Sequence, residues 1–169
     1  DESSVRLEIT LTQPQNMEIR MLWNRDSYCH YVEKEDFPTG QSKFVRDIPL
    51  PDFRPWSPED PFLYEVQIIT ETDTVHSYFA MRKFSLGLEE KQQPKLFLNN
   101  QPYFFNGVLD QGYWPESLYT APSDEAMIFD IRSMKDLGFN MIRKHVKVEP
   151  LRWYYHCDRL GMVVWQGMV

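Results

Sequence analysis

The chain has 169 residues, a formal net charge of −7, and 42% hydrophobic and 15% aromatic side chains. That length suits one ordinary domain, or a small one plus part of another, and the apolar content is enough for a packed core, which excludes a disordered chain. Lys and Arg are scattered without a basic stripe, which argues against a nucleic-acid partner, and no run approaches the roughly 20 apolar residues of a membrane span.

The first half alternates with period two. Val5, Leu7, Ile9 and Leu11 interleave with Arg6, Glu8, Thr10 and Thr12, and Met17, Ile19, Met21 and Trp23 resume the pattern after TQPQN. Such alternation marks half-buried strands. KFVRDI (43–48) supplies another strand, and FLYEVQIIT (62–70) with TVHSYFAMRKF (74–84) forms a pair around the turn-like ETDT. Short strands, polar turns and no helical period predict an all-β, immunoglobulin-like sandwich over residues 1–88. Residues 49–61 hold five of the twelve prolines and are expected to cross a sandwich edge, because proline cannot donate to a ladder.

From residue 89 the pattern changes to a partial α/β segment. KLFLNNQPYFFNGV (95–108) predicts a hairpin, with Asn99 and Asn100 taking the positive φ of a tight turn. Ser123, the first-turn acids Asp124 and Glu125, the stripe Met127, Ile131 and Met134, and Gly138 together predict a helix. NMIRKHV (140–146) reads as a strand, EPLRWYYHCDRL (149–160) as a helix started by Pro150 and ended by Gly161, and MVVWQ (162–166) as a strand. This β-α-β-α-β order with short links favours a parallel sheet. Residues 89–169 amount to about a third of the ~250 residues of a (β/α)8 barrel. An unrelated open α/β domain is the other reading, although no Gly-rich phosphate loop follows any strand.

The terminal GMVVWQGMV reads as a strand buried on both faces, so it either docks at the end of a sheet or has been cut from its neighbours. Cys29 and Cys157 fit no metal or redox spacing and are expected as free thiols. The start, DESSVRLEIT, has no leader pattern, and removal of an earlier signal peptide is compatible with it.

Four stretches carry a family resemblance. PWSPEDPFLYEVQI resembles the last part of the immunoglobulin-like domain of glycoside hydrolase family 2, and LFLNNQPYFFNGV resembles the strand leading that family into its catalytic barrel. DIRSMKDLGFNMIRKH resembles its helix followed by an Asn-x-x-Arg strand, and WYYHCDRLGMVVWQ its Asp-Arg-hydrophobic-Gly helix end and third barrel strand. The resemblance covers residues 50–169 and implies the first β-α-β-α-β of a TIM barrel in residues 89–169. It also implies retaining hydrolysis of a terminal β-linked sugar by two glutamates, as in β-galactosidases, β-glucuronidases and β-mannosidases. In the family those glutamates end the fourth and seventh barrel strands, beyond Val169, so no catalytic residue is expected in this chain and the fragment alone is expected to be inactive. A carbohydrate substrate and a periplasmic or extracellular setting are implied by the same resemblance, and no cofactor and no metal ligand is expected among these residues. An open sheet edge implies self-association of the truncated chain.

The resemblance makes Arg143 the partner of the nucleophile, since a guanidinium fork keeps a carboxylate ionised and oriented; a structural ion pair inside the barrel is the alternative. His145 shares a strand face with Arg143 and is either a sugar contact or a satisfied core histidine. Asp110 and Gln111 follow the first strand at the mouth where sugar hydroxyls could bind, and Gln166 ends the third strand as a further pocket candidate. The family often carries His-Glu where this chain has LDQGYW, so sugar identity does not transfer. Tyr113 and Trp114 either stack on a sugar or pack. Asp124, Glu125, Glu149 and Asp158 are expected as helix-start charges or ion-pair partners, with Asp158 pairing to Arg159 or a neighbour. None supplies a pair of carboxyl groups ~5 Å apart, as retention requires. Trp23, Tyr28, Tyr31 and Trp56 are expected in the core rather than as a sugar platform. The competing function is a non-catalytic carbohydrate-binding or structural module.

Overall fold

The computed structural model describes residues 3–13, 16–22, 29–35, 42–88 and 93–168. Trp23 and Tyr28, and the side chains of Cys29 and Tyr31, lie outside the described residues. The chain forms two compact units, Asp1–Arg54 with Leu63–Met81, and Pro55–Phe62 with Arg82–Val169.

The first unit is a β-sandwich built from β1 (Ser4–Thr10), β2 (Met17–Leu22), β3 (Cys29–Glu35), β4 (Lys43–Pro49), β5 (Tyr64–Thr70) and β6 (Thr74–Phe79). β1 pairs antiparallel with β4, and the second sheet runs in the order β3-β2-β5-β6. Alternation explains the layering. Ile9 of β1 and Phe44 and Ile48 of β4 meet Met17, Ile19 and Met21 of β2 and Val66 of β5 in one buried cluster, so each sheet turns its apolar side to the other. On the outside, the Arg6 guanidinium forks onto Asp47 at 2.8 Å, an exposed pair worth little to stability. Tyr64 stacks on Phe79 at 4.9 Å, and its hydroxyl accepts the Arg54 N–H at 2.7 Å.

The second unit contains β7 (Phe84–Leu88), β8 (Pro94–Leu98), β9 (Gln101–Pro102), β10 (Gly107–Asp110), α1 (Asp124–Asp136), β11 (Met141–Lys144), α2 (Leu151–Leu160) and β12 (Val163–Gln166). β7, β8 and β9 form an antiparallel sheet whose β8–β9 turn places Asn99 and Asn100 at φ 51° and 65°, the mirror-image turn expected of that dipeptide. β10, β11 and β12 form a parallel sheet with α1 and α2 as crossovers. The Ser123 hydroxyl caps α1 by accepting the Ala126 N–H, and Gly161 ends α2 in the left-handed conformation. Met127 and Ile131 of α1, Ile142 of β11, Trp153 and Cys157 of α2, and Met162 make the core. Burial pushes the Cys157 thiol far above its usual range, leaving it inert.

The structure departs from the expectations in three places. The strand expected over 74–84 is broken, because Lys83 leaves β6's line to exchange both backbone groups with Asn99, its N–H donating to Oδ1 at 3.0 Å and its carbonyl accepting the Asn99 N–H at 2.8 Å. The proline-rich stretch does not belong wholly to the sandwich. Residues 55–62 pack on the helix ends of the second unit: the Trp56 indole donates to the Asp158 carbonyl at 2.7 Å, and Lys135 Nζ donates to the carbonyls of Pro58, Leu160 and Gly161. Asp158, expected to pair with Arg159 or a neighbour, makes an ion pair with Arg82 at 2.5 Å, while Arg159 donates to His156 Nδ1. Finally, β12 is not buried along its length. Val163 is covered, but Trp165, two residues on and on the same face, is 53% exposed, and among the described residues β12 pairs only with β11.

Two glycines test how this unit is held. Gly138 and Gly161 both have positive φ, but a Cβ at Gly138 meets nothing, whereas one at Gly161 runs into the Pro58 carbonyl and Lys135 Nζ. Gly138→Ala should cost about 1 kcal/mol for its backbone conformation. Gly161→Ala should cost roughly 2–3 kcal/mol, the extra coming from the displaced Lys135 clamp. Urea midpoints at unchanged slope check the ranking.

Candidate functional site

Parallel strands end at one edge, and ligands of α/β folds bind outside that edge. The register sets Asp110, Lys144 and Gln166 in one row across the strand ends, with Leu109, Arg143 and Trp165 in the row before it. Because side chains alternate, the two rows face opposite sides of the sheet.

The Asp110 row faces the helices. Lys144 is 1% exposed; its ammonium lies 2.5 Å from Asp110 Oδ2, 2.8 Å from Glu149 Oε1 and 4.4 Å from the Trp153 ring centre. Glu149 Oε1 also receives Lys147 at 2.9 Å. Lys147, itself buried, donates to the Gly112 carbonyl at 2.9 Å and lies over the Tyr119 ring at 4.6 Å. Asp110 uses its other oxygen to accept the Gly112 N–H at 2.7 Å. The Gln166 amide is consumed by the chain, accepting from Tyr154 and donating to the carbonyls of Lys147 and Gly167. Asp130, on α1, is held above the usual carboxylate range by burial first and by the Asp110 charge second. Two lysines against two carboxylates leave each charge paired, the condition under which burial is tolerated.

The Arg143 row faces away from the helices. Arg143 is exposed between Leu109 and Trp165, and among the described residues its guanidinium makes no hydrogen bond or ion pair. His145, just past β11, is likewise exposed, with its backbone N–H donating to the Asp110 carbonyl at 2.9 Å; it is not a core histidine. Gln111 is exposed in the next loop. Tyr113, 69% exposed, tilts against Tyr119 at 5.2 Å, and Trp114 is partly buried beside the helical core.

Of the five residues singled out from the sequence, Arg143, His145 and Gln111 are therefore open to a ligand, whereas the side chains of Asp110 and Gln166 are engaged within the protein. Lys144 and Lys147 carry no site expectation from the sequence, and Glu149, expected as a charge entering α2, is their shared buried partner. A signal existed for Lys144: it stands two residues after Ile142, on the apolar face of a strand, where a lysine requires buried partners. Among the described residues, no group of three His, Cys, Asp or Glu side chains is placed to hold a metal ion, and no helix is long and apolar enough to cross a membrane.

Comparison with known proteins places this architecture. Residues 1–82 match the model of glycosyl hydrolases family 2. A β-galactosidase from Oenococcus oeni is 31% identical over 125 residues, 73% of this chain and 12% of that protein. One from Photobacterium profundum is 29% identical over 167 residues, 97% of this chain and 14% of the relative. Among solved structures, β-glucuronidase 3 of Bacteroides uniformis superposes with a TM-score of 0.83 at 20% identity, covering 99% of this chain and 21% of that one, a likeness of fold. The chain belongs to glycoside hydrolase family 2. It spans about 12% of the length of the curated β-galactosidases it matches.

The buried charges yield a stability prediction. Lys144→Met fills a similar volume but leaves Asp110 without its cation, and should destabilise the protein by about 3 kcal/mol at neutral pH. Denaturant titration checks this; a loss below about 1 kcal/mol would show that the cluster is readily rehydrated.

Proposed function

We propose that residues 1–88 contain the immunoglobulin-like domain, and residues 89–169 the opening β-α-β-α-β of the (β/α)8 barrel, of a retaining glycosidase that removes a terminal β-linked sugar. The observation that carries the reading is Arg143: a guanidinium with no partner among the described residues, at the C-terminal end of a parallel strand, on the side of the sheet that the helices leave bare. In a closed barrel that side is the interior, and the strand ends are its mouth. The names of the relatives, β-galactosidases by sequence, support a β-galactoside or a related sugar as substrate.

The chemistry requires two carboxyl groups about 5 Å apart, one protonated to assist departure of the leaving group and one ionised to attack the anomeric carbon. The carboxylates named above are engaged elsewhere: Asp110 and Glu149 with lysines, Asp158 with Arg82, and Asp124 with Arg152. Both reacting glutamates would be supplied by other parts of the parent protein, as the family resemblance implies. Arg143 would donate to the nucleophile, keeping it ionised and aligned. The exposed His145 and Gln111 would bind sugar hydroxyls, while Asp110 and Gln166 would shape the mouth from behind through their ties to Lys144, Gly112 and Lys147.

The bare surface has a further consequence. β7 turns Phe84, Leu86 and Leu88 outward and Ser85 and Gly87 inward, the reverse of a solvent-facing strand, and Phe104 is 84% exposed. In the isolated 169 residues such surface favours self-association.

Two measurements test the reading. The 169-residue chain should not turn over a nitrophenyl β-galactoside, whereas the full-length protein containing it should hydrolyse a β-glycoside with retention, read by NMR of the first-formed anomer. In that protein Arg143→Ala should lower kcat by about 100-fold or more; inversion, or unaltered turnover in the variant, overturns the assignment. Sedimentation of the 169-residue chain should show a coefficient rising with concentration, and a constant monomer value would refute self-association.

A further inference from the structure

Glu149 stands where the three parallel strand ends are joined. One of its oxygens receives both Lys144 and Lys147, and all three side chains are buried. Its backbone N–H donates to Tyr154 Oη at 3.2 Å, and that hydroxyl donates to Gln166 at the end of β12. Through Lys144 it reaches Asp110 at the end of β10.

These charges converge on one residue outside any strand. The Gly112 N–H is taken by Asp110 and its carbonyl by Lys147, so both of its backbone groups are fixed by charged side chains. Gly112 has φ +71°, and a Cβ there would collide with Glu149 Oε1 and the Lys147 side chain; only glycine lets the loop sit this close. Beyond it, Trp114 and Leu118 exchange backbone hydrogen bonds of 2.7 and 2.9 Å, and Tyr119 rests against Lys147. The loop thus anchored carries exposed Gln111 and Tyr113 at the same sheet edge as Arg143 and His145.

A core that had only to cover the sheet would be at least as stable with apolar residues at these positions, since replacing buried ion pairs with well-packed hydrophobic groups is often neutral or stabilising. What the charges provide instead is a fixed loop. We propose that Glu149 is a positioning residue for substrate binding: by holding Lys147 against the Gly112 carbonyl, it sets the 111–120 loop over the strand-end site. It is too buried to touch a sugar and acts only through Lys147 and Gly112. This inference rests on the glycosidase reading for its catalytic consequence, but not for its structural one.

The test uses the full-length protein with Glu149→Gln, nearly isosteric but neutral, and Lys147→Met, which removes the bond to Gly112 and leaves Glu149 paired with Lys144. In both, amide exchange at Trp114 and Leu118 should accelerate by about 10-fold or more while Ile142 in β11 keeps its protection. The kcat/KM for a β-glycoside should fall about 10-fold, mainly through KM, with the pH profile unchanged. Lys147→Met keeps the question open to experiment if Glu149→Gln does not fold. Unchanged loop exchange, or acceleration spread evenly over the unit, overturns the proposal and reduces the cluster to a core ion pair. A loosened loop with unaltered kcat/KM in an active enzyme overturns the role in substrate binding. If the wild-type protein hydrolyses no glycoside, the glycosidase reading has failed, and the exchange data still decide whether Glu149 sets the loop.

Discussion

A lysine ammonium with 1% of its surface exposed must find acceptors within the protein, and the second unit is arranged around meeting that requirement for Lys144. Asp110 must end β10 pointing toward the helices, Glu149 must enter α2 with its carboxylate turned back, and Trp153 must lay its ring beside the ammonium. Each partner has obligations of its own. Asp110 also holds Gly112, and Glu149 also holds Lys147, so one buried charge propagates order from the sheet into the loop above it.

The same sheet has two unequal faces. One packs Ile142 against Met127, Ile131 and Trp153 and is closed. The other offers Leu109, Arg143 and Trp165. An apolar face carrying a guanidinium that has no partner among the described residues is not a solvent-adapted surface; it is suited to enclosure, with the cation left for a ligand or a partner carboxylate. Its proposed place inside a barrel accounts for both properties at once.

Residues 55–62 show how a segment without ladder hydrogen bonds is nevertheless held. Trp56 is fully buried, its indole N–H satisfied by the Asp158 carbonyl at the end of α2 and its ring covered by Arg82 at 4.6 Å. Lys135, near the end of α1, closes the arrangement by donating to carbonyls of both Pro58 and the α2 terminus. Positive side chains at helix C-termini are favoured by the helix dipole, and here they also satisfy backbone acceptors that would otherwise be orphaned.

The sequence by itself determined the local units. Period-two alternation marked β1, β2, β4 and β5; Ser123 and Gly161 marked helix ends; and Asn99–Asn100 marked a turn, because each signal depends on residues only a few positions apart. The exposed candidates Arg143 and His145 were legible through their family resemblance and their alternation on a strand. Only the tertiary structure decided that β1 and β2 belong to different sheets, that the chain leaves β6 to meet Asn99, and that Asp158 answers Arg82, 76 positions away. It alone showed that Asp110 and Gln166 turn inward while Lys144, Lys147 and Glu149 are buried together. The physical reason is that a side chain's charge and shape are written in the sequence, whereas its desolvation and its partner are set by which distant segments pack against it, as Lys144 and Asp110 do across 34 positions.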